Sequence, residues 1–130
     1  MNIPINRKYT KDHEWLKVMD GGTAYIGITD YAQHELGDIV FLEVEKVGEK
    51  LRKGESFGTI EAVKTVSDMF MPVGGEILEF NKALTTKPET LNQDPYENGW
   101  VIKIKISDPA EINLLLDSVA YSALIGGIKH

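Results

Sequence analysis

Between His13 and Ile106 the chain falls into short runs of alternating apolar and polar residues. Turn-forming residues close each run after about ten positions, which is the spacing of a mainly β chain. "HEWLKV" and "TAYIGI" flank "MDGG", where Asp20, Gly21 and Gly22 supply the left-handed backbone that a tight hairpin needs. "DIVFLEVE" alternates, with Ile39, Phe41, Glu43 and Glu45 expected on one face and Val40, Leu42 and Val44 on the other. "MPVGGEILEFN" closes one strand at Pro72 and opens the next at Gly74-Gly75, and "WVIKIKI" reads as a half-exposed strand. Strands of this length point to a β-sandwich or flattened β-barrel with helices attached. A faint echo between "VGEKLRKGESFGTIEAV" and "VGGEILEFNKALTT" suggests two similar motifs folded around each other.

Helices are few. "DYAQHELG" reads as a short helix capped by Asp30 and ended by Gly37. "KALTTKPETLNQDPYENGW" reads as a polar surface excursion. Near the C-terminus, Asp108-Pro109-Ala110-Glu111 combines an N-cap, a first-turn proline and a capping-box glutamate. Ile112, Leu115, Leu116 and Val119 then recur on one face, with a break expected at Asp117-Ser118 and an end at Gly126-Gly127.

One hairpin breaks the turn rule. In "GTIEAVKTVSDMF" two strand-like runs meet at Val63-Lys64, where tight-turn chemistry favours glycine, asparagine or aspartate. Glu61 precedes the lysine, Asp68 follows it, and Gly58 and Pro72 to Gly75 bracket the hairpin. A lysine shown on a rigid tip can be read by a modifying enzyme, and it can swing an attached group. The plainer alternative is a solvated surface lysine.

The remaining chemistry is sparse. The 130 residues carry a net charge of −6, from 14 Lys plus Arg against 20 Asp plus Glu, with no basic stripe for nucleic acid or an anionic membrane. No apolar run approaches the roughly 18 residues of a spanning helix. The N-terminus lacks the pattern of a secretory or transit segment, so the expected location is the prokaryotic cytoplasm, or the mitochondrial matrix only after removal of a transit peptide. Cysteine is absent, so thiol chemistry would have to come from an attached group. His13, His34 and His130 form no His-Glu-x-x-His pair, and neither a nucleophile elbow nor a phosphate-cradling loop is present. An enzyme is not expected.

Taken together, "YTKDHEW", "GITDYAQHELGDIVFLEVEKVGEKL", "FGTIEAVKTVSDMFMPVGGEILEFN", "PYENGWVIKIK" and "LLLDSVAYSALI" resemble the glycine cleavage system H protein family over nearly the whole chain. The family's lysine motif, Glu-Ser-Val-Lys-Ala, stands here as Glu61-Ala62-Val63-Lys64-Thr65. Biotin carriers, with Ala-Met-Lys-Met, and acyltransferase lipoyl domains, with Asp-Lys-Ala, match less well. The resemblance implies a lipoyl-domain-like barrel-sandwich hybrid: one carrier domain over 1–130, with a hammerhead core at about 22–106 and a helical extension at about 108–126.

It further implies lipoic acid amide-linked to Lys64, with Glu61, Val63, Asp68, Pro72 and Gly75 shaping the hairpin that the lipoylating enzyme recognises. Such a carrier takes the aminomethyl group of glycine from pyridoxal-phosphate glycine decarboxylase to a tetrahydrofolate-dependent aminomethyltransferase, and dihydrolipoyl dehydrogenase reoxidises the dithiol. It is expected to act as a monomer. Glu14 and Trp15 are the candidates for shielding the loaded arm, Glu14 by holding an ammonium and Trp15 by packing below. The plainer reading is a core tryptophan and a solvated glutamate. Two alternatives differ in function: an H-like relay that donates lipoyl groups to other complexes, and an enzyme or ligand-binding protein that has lost the modification.

Overall fold

The computed structural model describes residues 2–44 and 46–128. Glu45 and His130, both named above, lie outside them. Among the described residues nine strands form two sheets. The larger contains β1 (Lys8–Tyr9), β2 (Glu14–Val18), β3 (Thr23–Ile28), β5 (Lys50–Leu51), β8 (Gly75–Phe80) and β9 (Ile102–Ile106), in the order β1-β2-β3-β9-β8-β5. The smaller runs β4 (Ile39–Glu43), β6 (Ser56–Ala62), β7 (Val66–Phe70). All described pairings are antiparallel. The mainly β expectation holds, but the sheets are open and do not close into a barrel.

Alternation supplies the core. Ala24, Ile26 and Ile28 of β3 share one face with Ile102, Ile104 and Ile106 of β9, and Ile77 of β8 joins them. Ile39, Leu42, Phe57, Ile60 and Met69 reach the same core from the smaller sheet. The two segments that echo each other in sequence meet where β5 pairs with β8, at Lys50 with Glu76 and Leu51 with Gly75. Close passage there requires glycine: a Cβ on Gly75 would lie 2.5 Å from the Lys105 carbonyl oxygen.

Several expectations need correction. The regular alternation over Ile39 to Val44 is broken by a bulge between Ile39 and Phe41. The extra residue turns Val40 and Phe41 both outward, while Ile39 and Leu42 point into the core. The cap of α1 (Asp30–Leu36) is Thr29, whose hydroxyl accepts from the Ala32 N–H at 3.1 Å; Asp30 is the first helical residue. Gly37 does end this helix, with φ +76°. The polar excursion contains α2 (Ala83–Thr86) and α3 (Thr90–Gln93), which bury Leu84 and Leu91.

At the C-terminus, a 3-10 helix over Pro109–Leu114 is capped by Asp108, and α4 (Ser118–Ile128) follows the expected break. Gly126 lies within α4 instead of ending it. Val119 is exposed, and Tyr121 and Ile125 form the buried face. They pack with Tyr9, Trp15 and Tyr96 in a second cluster, on the face of the larger sheet that points away from the main core. Glu111 makes no capping box; its carboxylate accepts the Gly74 N–H at 2.8 Å.

Candidate functional site

The hairpin of β6 and β7 projects from the smaller sheet. Glu61 pairs with Val66, and the Ala62 N–H donates to the Thr65 carbonyl at 2.8 Å, which leaves Val63-Lys64 as the two-residue tip. Neither residue is left-handed: His13 alone has positive φ among the described non-glycine residues. A turn without such residues is not favoured between twisted strands. Here it is braced from outside, because the Val63 N–H donates to the Asp38 carbonyl at 3.0 Å and Ala62 pairs with Ile39.

That brace is itself fixed. Gly37 turns the chain from α1 into β4, and Asn92 of α3 clasps the junction. Its amide donates to the Gly37 carbonyl at 2.8 Å and to Gln33 Oε1 at 3.1 Å, and its oxygen accepts the Ile39 N–H at 3.0 Å. The chain thus dispenses with glycine at the tip by anchoring the turn to a neighbouring strand. The Lys64 stem passes over Gly37, where a Cβ would stand 3.6 Å from the lysine Cε. The Lys64 ammonium is exposed and has no hydrogen bond or ion pair among the described residues.

Glu61, Val63, Lys64 and Asp68 are together on this exposed hairpin, with Asp68 opposite Thr59. Pro72 and Gly75 are apart from them, buried at the foot of the hairpin where the chain crosses to the larger sheet.

Glu14 is not the solvated glutamate of the plainer reading. It lies on the core face of β2, opposite Ile28, and is 3% exposed. Thr10 donates its hydroxyl to Oε1 at 2.8 Å, and Oε2 accepts the Phe70 N–H at 3.1 Å, at the far end of β7 from the tip. Burial pushes its carboxyl up to about 7, against the lowering effect of both hydrogen bonds. It borders a cavity of about 330 Å³ whose walls are mainly apolar, including Tyr9, Phe70, Met71, Pro72 and Leu114 to Leu116, with Lys11, Asp12 and Lys53 at its polar margin.

Trp15 does not line this cavity. It points to the other face of β2, lies against Gly27 and donates its indole N–H to the Pro95 carbonyl at 3.0 Å. The buried Arg7 guanidinium stacks 4.8 Å from its ring centre.

His13, read as a strand neighbour of Glu14, sits in the turn before β2 with φ +70°. Its Nδ1 is 2.8 Å from the Tyr121 hydroxyl, which also meets the Thr29 hydroxyl at 2.7 Å, tying α4 to the cap of α1. Burial lowers its pKa. Sequence patterning gave no sign of Thr10, Asp38 or Asn92. Only the Gly37 helix stop hinted that a strand begins beside the tip. Among the described residues no cluster of His, Asp or Glu could hold a metal, and no helix is long and apolar enough to cross a membrane.

Comparison with known proteins agrees over this whole frame. The family model described as Glycine cleavage H-protein matches residues 7–127. The glycine cleavage system H protein of Chlorobium luteolum is 58% identical over 128 residues, covering 98% of this chain and all of that protein. That of Bacteroides thetaiotaomicron is 57% identical over 127 residues, again covering 98% of this chain and all of the relative. A crystal structure of a glycine cleavage system H protein from Mycobacterium marinum superposes with a TM-score of 0.87 at 40% identity, covering 95% of this chain and 99% of the other.

Proposed function

The chain belongs to the glycine cleavage H-protein family, and from that premise we propose that Lys64 is its point of lipoyl attachment and that the attached arm moves cargo between the enzymes of the system. Members of the family are lipoyl carriers and not catalysts. The observation that carries the reading is the tip itself. Lys64 is exposed and has no partner among the described residues, on a turn held by the Val63 to Asp38 hydrogen bond. A lysine held by ion pairs would have to break them before its amine could be acylated.

When bound, the lipoyl group supplies a disulfide that accepts the aminomethyl unit and leaves a dithiol to be reoxidised. The protein's own part is to present, orient and shelter. Lysine stem and arm together extend on the order of 14 Å at ordinary bond lengths. The run from Thr65 to Phe70 is of similar size, about 17 Å at strand rise. An arm swung along β7 would therefore bring its end near Phe70 and Glu14. There the cavity offers apolar walls and one buried carboxylate. An ammonium entering it would favour the ionised form of Glu14, and the walls would limit water. Trp15 supports this site only indirectly, by fixing the strand that carries Glu14. In this reading Glu61 and Asp68 are exposed contacts for the lipoylating enzyme, and Pro72 and Gly75 set the hairpin's foot.

The test is exchange. Lipoylated protein mixed with glycine decarboxylase of the same organism and glycine should support incorporation of labelled bicarbonate into the glycine carboxyl group, and unlipoylated protein far less. A protein that donates its lipoyl group to other apo-domains through a lipoyl transferase, yet fails this exchange, would be a relay: the glycine assignment would fall and only a lipoyl carrier would remain.

A further inference from the structure

The smaller sheet has an outer face that the core does not explain. Its cross-strand register forms two rows, Phe41–Glu61–Val66 and Glu43–Thr59–Asp68. Phe41 is 49% exposed, Val66 63% and Val63 at the tip 72%, and the bulge turns Val40 outward beside them. Four exposed apolar side chains at one end of a small sheet, next to the tip lysine, form the kind of patch that marks a contact surface. Two carboxylates share the face, Glu61 between Phe41 and Val66 in the first row and Asp68 in the second.

Across the hairpin from Ser56 to Phe70, Lys64 is the single cation against Glu61 and Asp68. Amide formation at Lys64 removes that positive charge, so the hairpin goes from one net negative charge to two. Modification therefore changes the surface as well as adding the arm.

We propose that this face, made of Phe41, Val66 and Val63 with Glu61 set between Phe41 and Val66 and Asp68 in the next row, is the surface that docks on the arm-accepting decarboxylase, at an apolar hollow bearing Lys and Arg side chains, and that neutralising Lys64 strengthens the docking. The proposal rests on the carrier reading. Two features point to a partner that takes the arm and has a basic docking surface, and the decarboxylase is the first such partner the carrier reading requires. The face is continuous with the tip from which the arm must enter a partner, and its charge is complementary only to a basic surface. Apolar contacts at the centre then set the lifetime of the complex, and the carboxylates set its rate of formation and salt dependence.

The experiment measures binding of lipoylated protein to glycine decarboxylase by biolayer interferometry at low and at moderate salt. The lipoylated Phe41→Ser/Val66→Ser variant should bind about tenfold more weakly at both salt concentrations, the scale of losing central contacts. Lipoylated Asp68→Lys should bind several-fold more weakly at low salt, with the difference shrinking as salt rises. Lys64→Gln, neutral but without the arm, should bind more tightly at low salt than unlipoylated wild type. Thermal melts are expected to match wild type, since every altered side chain is exposed. Wild-type binding by the Phe41/Val66 double variant, in a preparation whose wild type supports bicarbonate exchange, would overturn the docking surface and leave the carrier reading intact. Failure of the wild type itself to support exchange would overturn the glycine assignment and the docking surface with it.

Discussion

Glu14→Gln should stabilise the protein, by an amount that depends on pH in one direction. The Glu14 carboxyl is raised from 4.5 to about 7 because it is buried beside an apolar cavity. Between those values the folded chain binds more protons than the unfolded chain, so stability falls as pH rises through the window and levels off above about 7. At about 1.4 kcal/mol per pKa unit, the ionised carboxylate costs about 3 kcal/mol at pH 8. Glutamine avoids that cost and can keep both contacts: its oxygen accepts the Phe70 N–H, and its amide donates to the Thr10 hydroxyl oxygen, whose proton then points elsewhere. The expected gain at pH 8 is about 3 kcal/mol, or roughly 10 °C in Tm for a domain of this size. It should fade to nothing near pH 4. Urea denaturation of both proteins from pH 4 to 8.5 measures it. A difference that does not change with pH, or a variant less stable at pH 8, would refute the reasoning. A carboxylate kept at this cost is consistent with a role in holding a cation.

Other substitutions test separate parts of the molecule. Gly27→Ala should destabilise by about 2 kcal/mol and shift tryptophan fluorescence, because the added Cβ would stand 2.6 Å from the Trp15 ring; unchanged melting and emission would contradict the packing described. Tyr121→Phe should cost about 1–2 kcal/mol in chemical denaturation, since His13 Nδ1 and the Thr29 hydroxyl both lose a partner. Asn92→Ala should leave Lys64 exposed but loosen the tip, seen as faster hydrogen exchange at the Val63 amide, and a rate equal to wild type would deny the brace. Glu61→Ala should slow lipoylation without altering the melt, whereas Pro72→Ala should lower stability by about 1 kcal/mol; full-speed lipoylation of the Glu61 variant would reduce that residue to a solvated charge.

Legibility in the sequence followed the range of the interactions. Alternation in β3, β8 and β9 was readable because each strand buries one face, and Gly21, Gly22 and Gly37 marked turns by local conformation alone. The bulge at Val40 was not, because Ile39 to Leu42 is an unbroken apolar run in which no residue marks the insertion. Leu84 and Leu91 sit in helices of four residues each, too short to show a helical period. The tip lysine was conspicuous because turn formers were missing around it, yet the reason the turn holds was hidden. Asn92 meets Ile39 across 53 residues of sequence, and no local pattern announces such a contact. Glu14 is a similar case. It was singled out as a candidate for holding an ammonium, yet its burial could not be read locally: the Phe70 N–H that it accepts, at the open edge of β7, lies 56 residues away.

The most direct test of the account is the mass of the protein isolated from its native host, followed by peptide mapping. A single lipoyl increment on the peptide containing Lys64, absent from Lys64→Arg protein that melts as wild type does, is the result predicted. An increment on any other lysine, or one that persists in Lys64→Arg, would contradict the assignment of the hairpin tip as the carrier site.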